Sequence, residues 1–484
     1  MQQYTKGSER VRYILDRRFR LRGWKDRPAG LYDTNYKKVL FPDLESYLML
    51  MKCDGAHEID VEKLNGKQRE VLENAEREGV IKPAGFFSLL APEQVYRSYS
   101  NVFRKEAHWS ITGACNLKCR HCFMSAPSAK HGHPTLEQLI GIADQIAECG
   151  IFKVSLTGGE PLIREDFFEL IDALNERGIT VSTIFTNGWL LDERLLDRLE
   201  KRGVRPSFQL SFDGIGVHDK LRGVPGAEER TIRAIKLLRA RDYPVTAALC
   251  MNKLNLAVVR DSVNYLATLG VNGMKISASM VLGEWADPSV QELRLTRQEE
   301  LEFFEEYIPQ FFADNAPMSV TLAGAFSWDP AKDSWEICYH RNCPVERETS
   351  SPSCDVVRNV FYIGADGMIA PCMGMADCSY ARHFPNVFRT PLKEILGADS
   401  QFVSLCNTTV AEVRDKSGKC RSCRYIDRCT GGCRNTALVK GDNYYAADDE
   451  QCFFFENGWE ERITAVAAPA FENYKRSSLS LTKE

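Results

Sequence analysis

Cysteine spacing constrains this chain more than any other feature of its sequence. Eleven of its seventeen cysteines fall between Cys338 and Cys452, and a tight trio, Cys115, Cys119 and Cys122, lies far upstream. Secreted proteins use many cysteines for disulfides, but the N-terminal MQQYTKGSERVRY lacks the apolar segment of a signal peptide. Short, regular cysteine spacings in the reducing cytoplasm more often bind metal. The spacing therefore predicts a cytoplasmic metal-binding protein.

The rest of the composition is that of an ordinary globular protein. Of 484 residues, 44% are hydrophobic and 26% charged, and the mean hydropathy is −0.31. No apolar run is long enough to span a bilayer. A net charge of −4 gives the whole chain no attraction for nucleic acid. We therefore expect neither a membrane nor a nucleic acid as partner.

The middle of the chain alternates strand-like and helix-like segments. The strand-like runs are HWSIT at 108–112, FKVSLTG, TVSTIFT, SFQLSFDG, VTAALCM and MKISASM, and amphipathic stretches separate them. Six strand–helix units predict an α/β fold with a parallel sheet, either open or curled into a partial barrel. Ligands of such folds bind at the carboxyl ends of the strands.

Chemistry-bearing residues follow these predicted strands in order. Cys115-x3-Cys119-x2-Cys122 comes after the first strand, and three thiolates would leave one iron of a four-iron cluster open. Half of a zinc site, with His121 as a fourth ligand, is the alternative. The later strands are followed by Gly158-Gly159-Glu160-Pro161, by Thr186-Asn187-Gly188 and, in Gln209-Leu-Ser211-Phe-Asp213-Gly214, by a polar stretch.

Together these motifs resemble the signature of radical S-adenosylmethionine (SAM) enzymes over roughly residues 105–315. The resemblance implies a partial (β/α)6 TIM-like barrel, a 4Fe–4S cluster on the cysteine trio, and SAM bound to its open iron. It also implies SAM contacts from His121, Phe123, Gly158, Gly159, Glu160, Pro161, Asn187, Ser211 and Arg222. The QxSxDG stretch is similar to that of the subgroup that modifies peptides.

The C-terminal cysteines follow a second pattern. Cys354-x12-Gly367-x4-Cys372 precedes Cys420-x2-Cys423-x5-Cys429-x3-Cys433, and Cys452 follows. The pattern resembles the SPASM extension, which holds two auxiliary 4Fe–4S clusters, so that three clusters are expected in all; two zinc ribbons are the alternative. By resemblance, the outer cluster takes Cys420, Cys423, Cys429 and Cys452, and the inner cluster takes Cys354, Cys372 and Cys433.

The fourth ligand of the inner cluster is open. We favour Cys343, with Cys338, Cys378 or a substrate thiolate as alternatives. The remaining cysteines are expected to be structural: Cys53, Cys149, Cys250 and Cys406.

The N-terminal segment has a different character. KVLFPDLESYLMLMKCDG and LNGKQREVLENAEREGVI suggest a small winged-helix-like domain and resemble the PqqD-like element that recognises leader peptides. Residues 1–38 carry eleven Lys and Arg against four Asp and Glu. This excess is either simply a solvated basic face or suits an acidic partner, such as an acidic leader peptide or a nucleic acid. The expected domains are then 1–100 (leader recognition), 105–315 (radical SAM core), 335–455 (SPASM) and 456–484 (C-terminal helix and tail).

These resemblances imply a maturase of ribosomally made peptides. We expect it to cleave SAM to a 5′-deoxyadenosyl radical, remove a hydrogen from a precursor peptide and close a crosslink, foremost a cysteine thioether. A flavodoxin or ferredoxin would supply electrons. No catalytic base is identified.

Alternatives remain open at this stage. They are carbon–carbon crosslinking, peptide epimerisation, sulfatase maturation, and a non-catalytic iron–sulfur or zinc protein that senses redox state or binds nucleic acid. Sulfatase-maturing enzymes place an aspartate where this chain has Met373.

Overall fold

The computed structural model describes residues 10–85, 87–278, 280–337, 343 and 345–481. Within them the chain forms two compact units. The first comprises the described residues up to Lys105, with Gln145–Phe152 and Leu392–Val403. The second comprises Glu106–Asp144, Lys153–Pro391 and the chain from Ser404 onward. Cys338, one candidate cluster ligand, lies outside the described residues.

The first unit is a set of short strands with two helices. Its strands are β1 (Arg10–Val11), β2 (Tyr13–Leu15), β3 (Phe19–Gly23), β4 (Gly30–Asp33), β5 (Lys38–Leu40), β6 (Ile59–Asp60), β7 (Ile81–Pro83) and β8 (Arg97–Ser98). Helices α1 (Leu44–Met51) and α2 (Gly66–Arg77) begin at capping side chains, Asp43 and Asn65. β3, β4 and β5 form an antiparallel meander. Phe19, Leu50 and Leu72 belong to the core that joins sheet and helices.

The second unit is organised by one large sheet. Its strands are β9 (Glu106–Ser110), β10 (Lys153–Thr157), β11 (Thr180–Thr186), β12 (Ser207–Ser211), β13 (Val245–Met251), β14 (Gly273–Ala278), β15 (Ser319–Leu322), β16 (Phe326–Asp329), β17 (Ser334–Glu336), β18 (Val360–Ile363) and β19 (Ile369–Ala370). Among the described strands, β9 to β15 are parallel neighbours in chain order, and β18 adds a further parallel strand beside β9.

This architecture confirms the predicted α/β class with a parallel sheet. Two of the predicted strands, TVSTIFT and VTAALCM, have the observed bounds of β11 and β13. The parallel set is longer than the six predicted strands, because β15 and β18 have only four residues each and carry little sequence pattern. In the described part of the chain the sheet does not close, since β17 and β19 are its edges.

Helices connect the strands and form much of the cysteine-rich region. They are α3 (Leu136–Glu148), α4 (Phe167–Glu176), α5 (Glu193–Glu200), α6 (His218–Arg222), α7 (Ala227–Ala240), α8 (Val259–Thr268), α9 (Arg297–Ala313), α10 (Asp355–Asn359), α11 (Leu392–Ile395), α12 (Gln401–Cys406), α13 (Val410–Lys416), α14 (Gly418–Arg421), α15 (Ile426–Cys429), α16 (Arg434–Gly441), α17 (Asp449–Glu456) and α18 (Trp459–Leu481). None of the described helices combines the length and apolarity that crossing a membrane requires.

The large sheet has an apolar face and a polar face. Side chains alternate along a strand, and one set, which includes Trp109, Leu156 and Leu210, is fully buried. The opposite set, which we call the polar inner face, carries Glu106, His108, Ser155, Ser182, Gln209 and Lys275. Helices cover the apolar face, whereas the polar inner face includes exposed side chains such as Lys275 that can contact a ligand.

Charged side chains join the loop after β9 to the cysteine-rich region. Lys130 forms an ion pair with Asp377, and His131 faces Asp366 at 3.8 Å and Asp377 at 3.5 Å. These two carboxylates raise the pKa of His131 to about 9. His131 is nearly buried, so its protonated form holds the two segments together.

This arrangement predicts a pH-dependent contribution to stability. The pKa of His131 is higher in the folded chain than its unfolded value of about 6.5, so the stabilisation is complete below pH ~6.5 and is lost as the pH rises through ~9. We expect the difference in free energy of unfolding between the wild type and His131→Gln to shrink over this interval in urea titrations. Asp377→Asn should reduce the same pH dependence. A difference that stays constant from pH 6 to 9.5 would contradict this assignment.

Candidate functional site

The candidate site is built where the carboxyl ends of neighbouring parallel strands meet. The loop after β10 lies against the loop after β9, because Gly159 N–H donates to Thr112 O at 2.8 Å and Glu160 N–H to Ala114 O at 2.9 Å. A Cβ on Gly158 would lie 2.3 Å from Thr112 O, and one on Gly159 would lie 2.1 Å from Ala114 O. Only glycine permits this approach, so the two glycines bring the Gly-Gly-Glu backbone against the start of the cysteine loop.

Glu160 fixes the next loop in the same place. Its side chain is fully buried, and the Leu162 N–H and Thr186 hydroxyl donate to Oε1 at 3.1 and 2.8 Å, while Asn187 N–H donates to Oε2 at 2.7 Å. Burial raises the pKa of Glu160 to about 7, although these hydrogen bonds oppose the shift. A carboxylate accepts about four hydrogen bonds, so it retains capacity for an ammonium donor.

Asn187 connects that loop to the cysteine trio. Its Nδ2 donates to Asn116 Oδ1 at 2.8 Å and lies 3.9 Å from Cys115 Sγ. Its Oδ1 accepts from Trp189 N–H at 2.9 Å. The structure therefore brings the loops after β9, β10 and β11 to one point.

All three thiols of the trio accept hydrogen bonds. Leu117 N–H lies 3.4 Å from Cys115 Sγ, Ala126 N–H lies 3.3 Å from Cys122 Sγ, and the Arg222 guanidinium lies 3.6 Å from Cys119 Sγ. Burial raises the pKa of Cys115 to about 12, as it also raises those of the other two thiols, so they are protonated in the free chain. Metal binding would displace these protons.

Buried charges lie directly behind Cys119. Arg222 Nε is 2.7 Å from Asp213 Oδ2, and His121 Nε2 is 3.6 Å from the same oxygen. Asp213 has no solvent exposure. Burial, opposed by the negative charge of Asp213, lowers the pKa of His121 to about 4, so this histidine is neutral.

Three other predicted SAM contacts lie at the edge of this group. Ser211 is the half-buried last residue of β12 and pairs with Ala248 of β13. Pro161 begins the buried turn after Glu160. Phe123 packs against an apolar cluster that joins Met124 to residues of the cysteine-rich region, such as Tyr362 and Leu438. The contacts of these three residues to SAM stay a prediction.

The sequence alone did not single out two further parts of the site. The turn at Gly283–Ala286 packs on the cysteine loop: Glu284 N–H donates to Cys122 O at 2.8 Å, and the Trp285 ring meets the His121 ring edge-on at 6.2 Å. Nothing in the local sequence marks this turn as part of the site.

The polar inner face supplies the other unpredicted group. Glu106 accepts hydrogen bonds from the Ser155 and Ser182 hydroxyls, and the His108 ring lies 5.9 Å from Phe185. Burial lowers the pKa of His108, and the charge of Lys275 acts in the same direction. Lys275 is exposed and aligns across the sheet with Ala248 and Thr321. The one sequence signal for this group was Lys275, a charged residue inside the predicted strand MKISASM.

The predicted outer-cluster cysteines come together. Burial raises the pKa of Cys429 to about 12, and the thiols of Cys452 and Cys420 contribute to the shift. Cys423 is linked to Cys420 through its N–H, which donates to Cys420 O at 3.2 Å. The short helices α14 and α15 and the longer α17 position these four residues.

The predicted inner-cluster cysteines form a separate group. Burial raises the pKa of Cys372 to about 12, with contributions from Cys433 and Cys354. Asp448 connects the two groups, because it accepts from Cys433 N–H at 2.9 Å and caps α17, the helix that carries Cys452. The two predicted ligand sets are therefore neighbours.

The structure places Cys343 beside the outer group. Its N–H donates to Asp427 O at 2.6 Å, between Cys423 and Cys429 in the chain. Cys378, the other described candidate, is buried and donates to Met375 O at 3.2 Å. The choice of Cys343 as the fourth inner ligand stays a prediction, and these contacts do not bring it to Cys354 or Cys372.

The chemistry of the donors fits iron–sulfur clusters, because each iron of a four-iron cluster takes its own thiolate. In the described chain no group of three His, Cys, Asp or Glu side chains is placed to hold a single metal ion. N–H donors to the sulfurs are among the features that stabilise such clusters, and each thiol of the trio has one.

Comparison with known proteins agrees with this geometry. Residues 109–266 match the radical SAM superfamily, and residues 354–424 match the iron–sulfur cluster-binding SPASM domain. Among curated relatives, an AdoMet-dependent heme synthase of Methanosarcina barkeri is 27% identical over 72% of this chain and 95% of its own length. The PqqA peptide cyclase of Gluconobacter oxydans is 26% identical over 69% of this chain and 86% of its own length.

A solved structure extends the likeness to most of the chain. SuiB of Streptococcus suis bound to its precursor peptide SuiA superposes with a TM-score of 0.62 at 17% identity, over 91% of this chain and 99% of SuiB. At this identity the likeness concerns the fold. The profile matches, the sheet topology and the two groups of cysteines together lead to one conclusion. The chain has a radical SAM core followed by a SPASM iron–sulfur-binding domain.

Proposed function

We propose that this protein is a radical SAM maturase of a ribosomally synthesised precursor peptide. When bound, a 4Fe–4S cluster and SAM supply a 5′-deoxyadenosyl radical that removes hydrogen from the peptide. Cys115, Cys119 and Cys122 hold the cluster. The observation that carries the proposal is the convergence of this trio, the Gly158–Glu160 backbone and Asn187 at one end of the sheet.

The rest of the chain supports a peptide substrate. SuiB, solved with its precursor peptide, matches 91% of this chain, a share too large to leave out the first 105 residues. The similarity to the AdoMet-dependent heme synthase, in comparison, covers 72% of this chain. The polar inner face, with Lys275 and His108 beside small residues such as Ala248 and Thr321, offers polar partners to a peptide segment.

The first unit supports recognition of a leader peptide. Among the described strands, β5 forms the edge of its sheet, and an edge strand can pair with an added strand. A groove of about 680 Å³ lies on the adjoining helices, lined by Leu44, Leu48 and Met51 of α1 and by Gln68 of α2. The exposed Leu44 and Leu48 are suited to apolar leader side chains.

The SPASM region supports electron transfer. Cys122 and Phe123 pack against the same apolar cluster as Cys372, so one apolar cluster contacts both the cysteine trio and a ligand of the proposed inner cluster. Closure of a crosslink needs removal of a second electron from the peptide, and the inner cluster would accept it. The outer cluster would exchange electrons with a flavodoxin or ferredoxin.

The assigned cluster site makes a direct prediction. Replacing Cys115, Cys119 and Cys122 with alanine should abolish reductive SAM cleavage and lower iron from about twelve to about eight per chain, because one of three four-iron clusters is lost. Cleavage is measured as 5′-deoxyadenosine by chromatography, and iron by colorimetry. Cys149→Ala, a buried thiol outside both predicted ligand sets, is the matched control. SAM cleavage that survives in the triple variant would contradict the site.

The proposed reaction predicts a defined mass change. Anaerobic co-expression with the candidate precursor encoded beside this gene should remove two hydrogens per crosslink, and a thioether should also remove one alkylatable cysteine. Intact-mass and alkylation measurements check both. An unchanged mass with deuterium uptake from heavy water would instead establish epimerisation.

Heme synthesis is the second candidate, because an AdoMet-dependent heme synthase is similar over nearly its whole length. Conversion of an iron-porphyrin precursor to heme, followed by absorption spectroscopy, together with an unmodified peptide, would favour that activity over peptide maturation.

A further inference from the structure

A buried ion pair lies directly behind one thiol of the trio. Arg222 Nε is 2.7 Å from Asp213 Oδ2, and Arg222 Nη1 is 3.6 Å from Cys119 Sγ. The Asp213 side chain has no solvent exposure and that of Arg222 is 11% exposed. A charge that close to a thiolate in a poorly solvated setting acts strongly on it.

Two buried imidazoles also face this ion pair. His121 and His218 approach Asp213 Oδ2 at 3.6 and 3.7 Å. Arg222 Nε is closer to the same carboxylate, at 2.7 Å. Arg222 is therefore the nearest cationic partner of Asp213 and the group of this cluster that also reaches Cys119.

Backbone contacts fix this pair against the cysteine loop. Lys118 N–H donates to Arg222 O at 3.0 Å, and Arg120 N–H donates to Leu221 O at 2.8 Å. Gly223 has φ +70°, and a Cβ there would lie 2.3 Å from Lys118 O. The end of α6 is thus docked on the segment that carries Cys119, and the guanidinium has a defined place.

We propose that Arg222 is a positioning residue for the cluster: its guanidinium donates to the Cys119 thiolate and raises the reduction potential of the cluster, and Asp213 orients it and moderates its charge. The reduction potentials of such clusters depend on net charge and on hydrogen bonds to sulfur. This role is additional to any contact between Arg222 and SAM, and it holds whatever the substrate is.

The charges predict shifts of opposite sign. Arg222→Met removes a cation and should lower the midpoint potential, whereas Asp213→Asn leaves the cation uncompensated and should raise it. The double variant should return close to the wild type, and Arg222→Lys, which keeps the charge, should shift less than Arg222→Met. Structural damage alone would not produce this pattern of signs.

The experiment is potentiometry followed by electron paramagnetic resonance on the reconstituted full-length protein, with no peptide present. Subtracting the spectrum of the Cys115/Cys119/Cys122→Ala variant isolates the cluster of interest. Arg202→Met and Asp172→Asn are matched controls, because this ion pair (2.6 Å) joins α4 to the turn after α5, where Arg202 contacts the Arg198 carbonyl and the Phe168 ring rather than the cysteine trio.

The outcomes are distinct from those of the proposed function. Opposite shifts, with unchanged potentials in the controls, support the role of Arg222. Shifts in the same direction, or none, overturn it even if the peptide is modified. If Arg222→Met fails to hold its cluster, Asp213→Asn decides alone: a higher midpoint supports the proposal, and an equal or lower one overturns it.

Discussion

The site depends on the hydrogen bonds that the buried side chain of Glu160 accepts. Burying a carboxyl group costs free energy unless hydrogen bonds compensate it, and here the donors come from its own turn, from the last residue of β11 and from the loop after β11. Satisfying Glu160 therefore forces the loops after β10 and β11 together. Gly158 and Gly159 then bring the same turn against the cysteine loop after β9. Glu160 and the two glycines thus hold the loops that follow three neighbouring parallel strands against one another, and these loops form the candidate site.

The strand order of the large sheet also determines where the site lies. Because β9 to β15 are parallel and in chain order, every loop that follows a strand emerges at the same end. The apolar face is fixed by helices, which leaves the polar inner face for a ligand. Lys275 and His108 lie on that face, one exposed and one half-buried. The ion pair behind Cys119 is, in contrast, buried.

Much of this could be predicted from sequence because the relevant signals are local. The strands β11 and β13 are runs of β-branched and apolar residues between clear breakers, and Gly158-Gly159-Glu160 is a contiguous motif. The parts that escaped prediction depend on tertiary contact. β15 and β18 are too short to show a period, and Trp285 reaches His121 from a turn more than 160 residues away. The sequence motifs pointed to Asp213 and Arg222 separately, but they gave no sign that the two form an ion pair or that Arg222 contacts Cys119.

The cysteine ligands, too, divide into those that local sequence spacing indicates and one that depends on tertiary contact. Their spacing predicts the sets of Cys420, Cys423, Cys429 and Cys452 and of Cys354, Cys372 and Cys433, and the structure shows Cys429 near Cys420 and Cys452, and Cys372 near Cys354 and Cys433. That these sets hold two clusters stays a prediction. The Cys343 N–H donates to Asp427 O, between Cys423 and Cys429 in the chain, and the choice of Cys343 as the fourth inner ligand stays a prediction. Pair spacing within a loop is encoded locally, whereas a fourth ligand from elsewhere in the chain depends on how loops pack.

The central claim is that the trio holds a cluster whose open iron binds SAM. Electron–nuclear double resonance tests it most directly, on the reduced, reconstituted protein with SAM labelled with nitrogen-15 at the amino group and oxygen-17 at the carboxylate. We predict hyperfine coupling from both labels to the cluster. SAM that binds without coupling from either label would contradict the account.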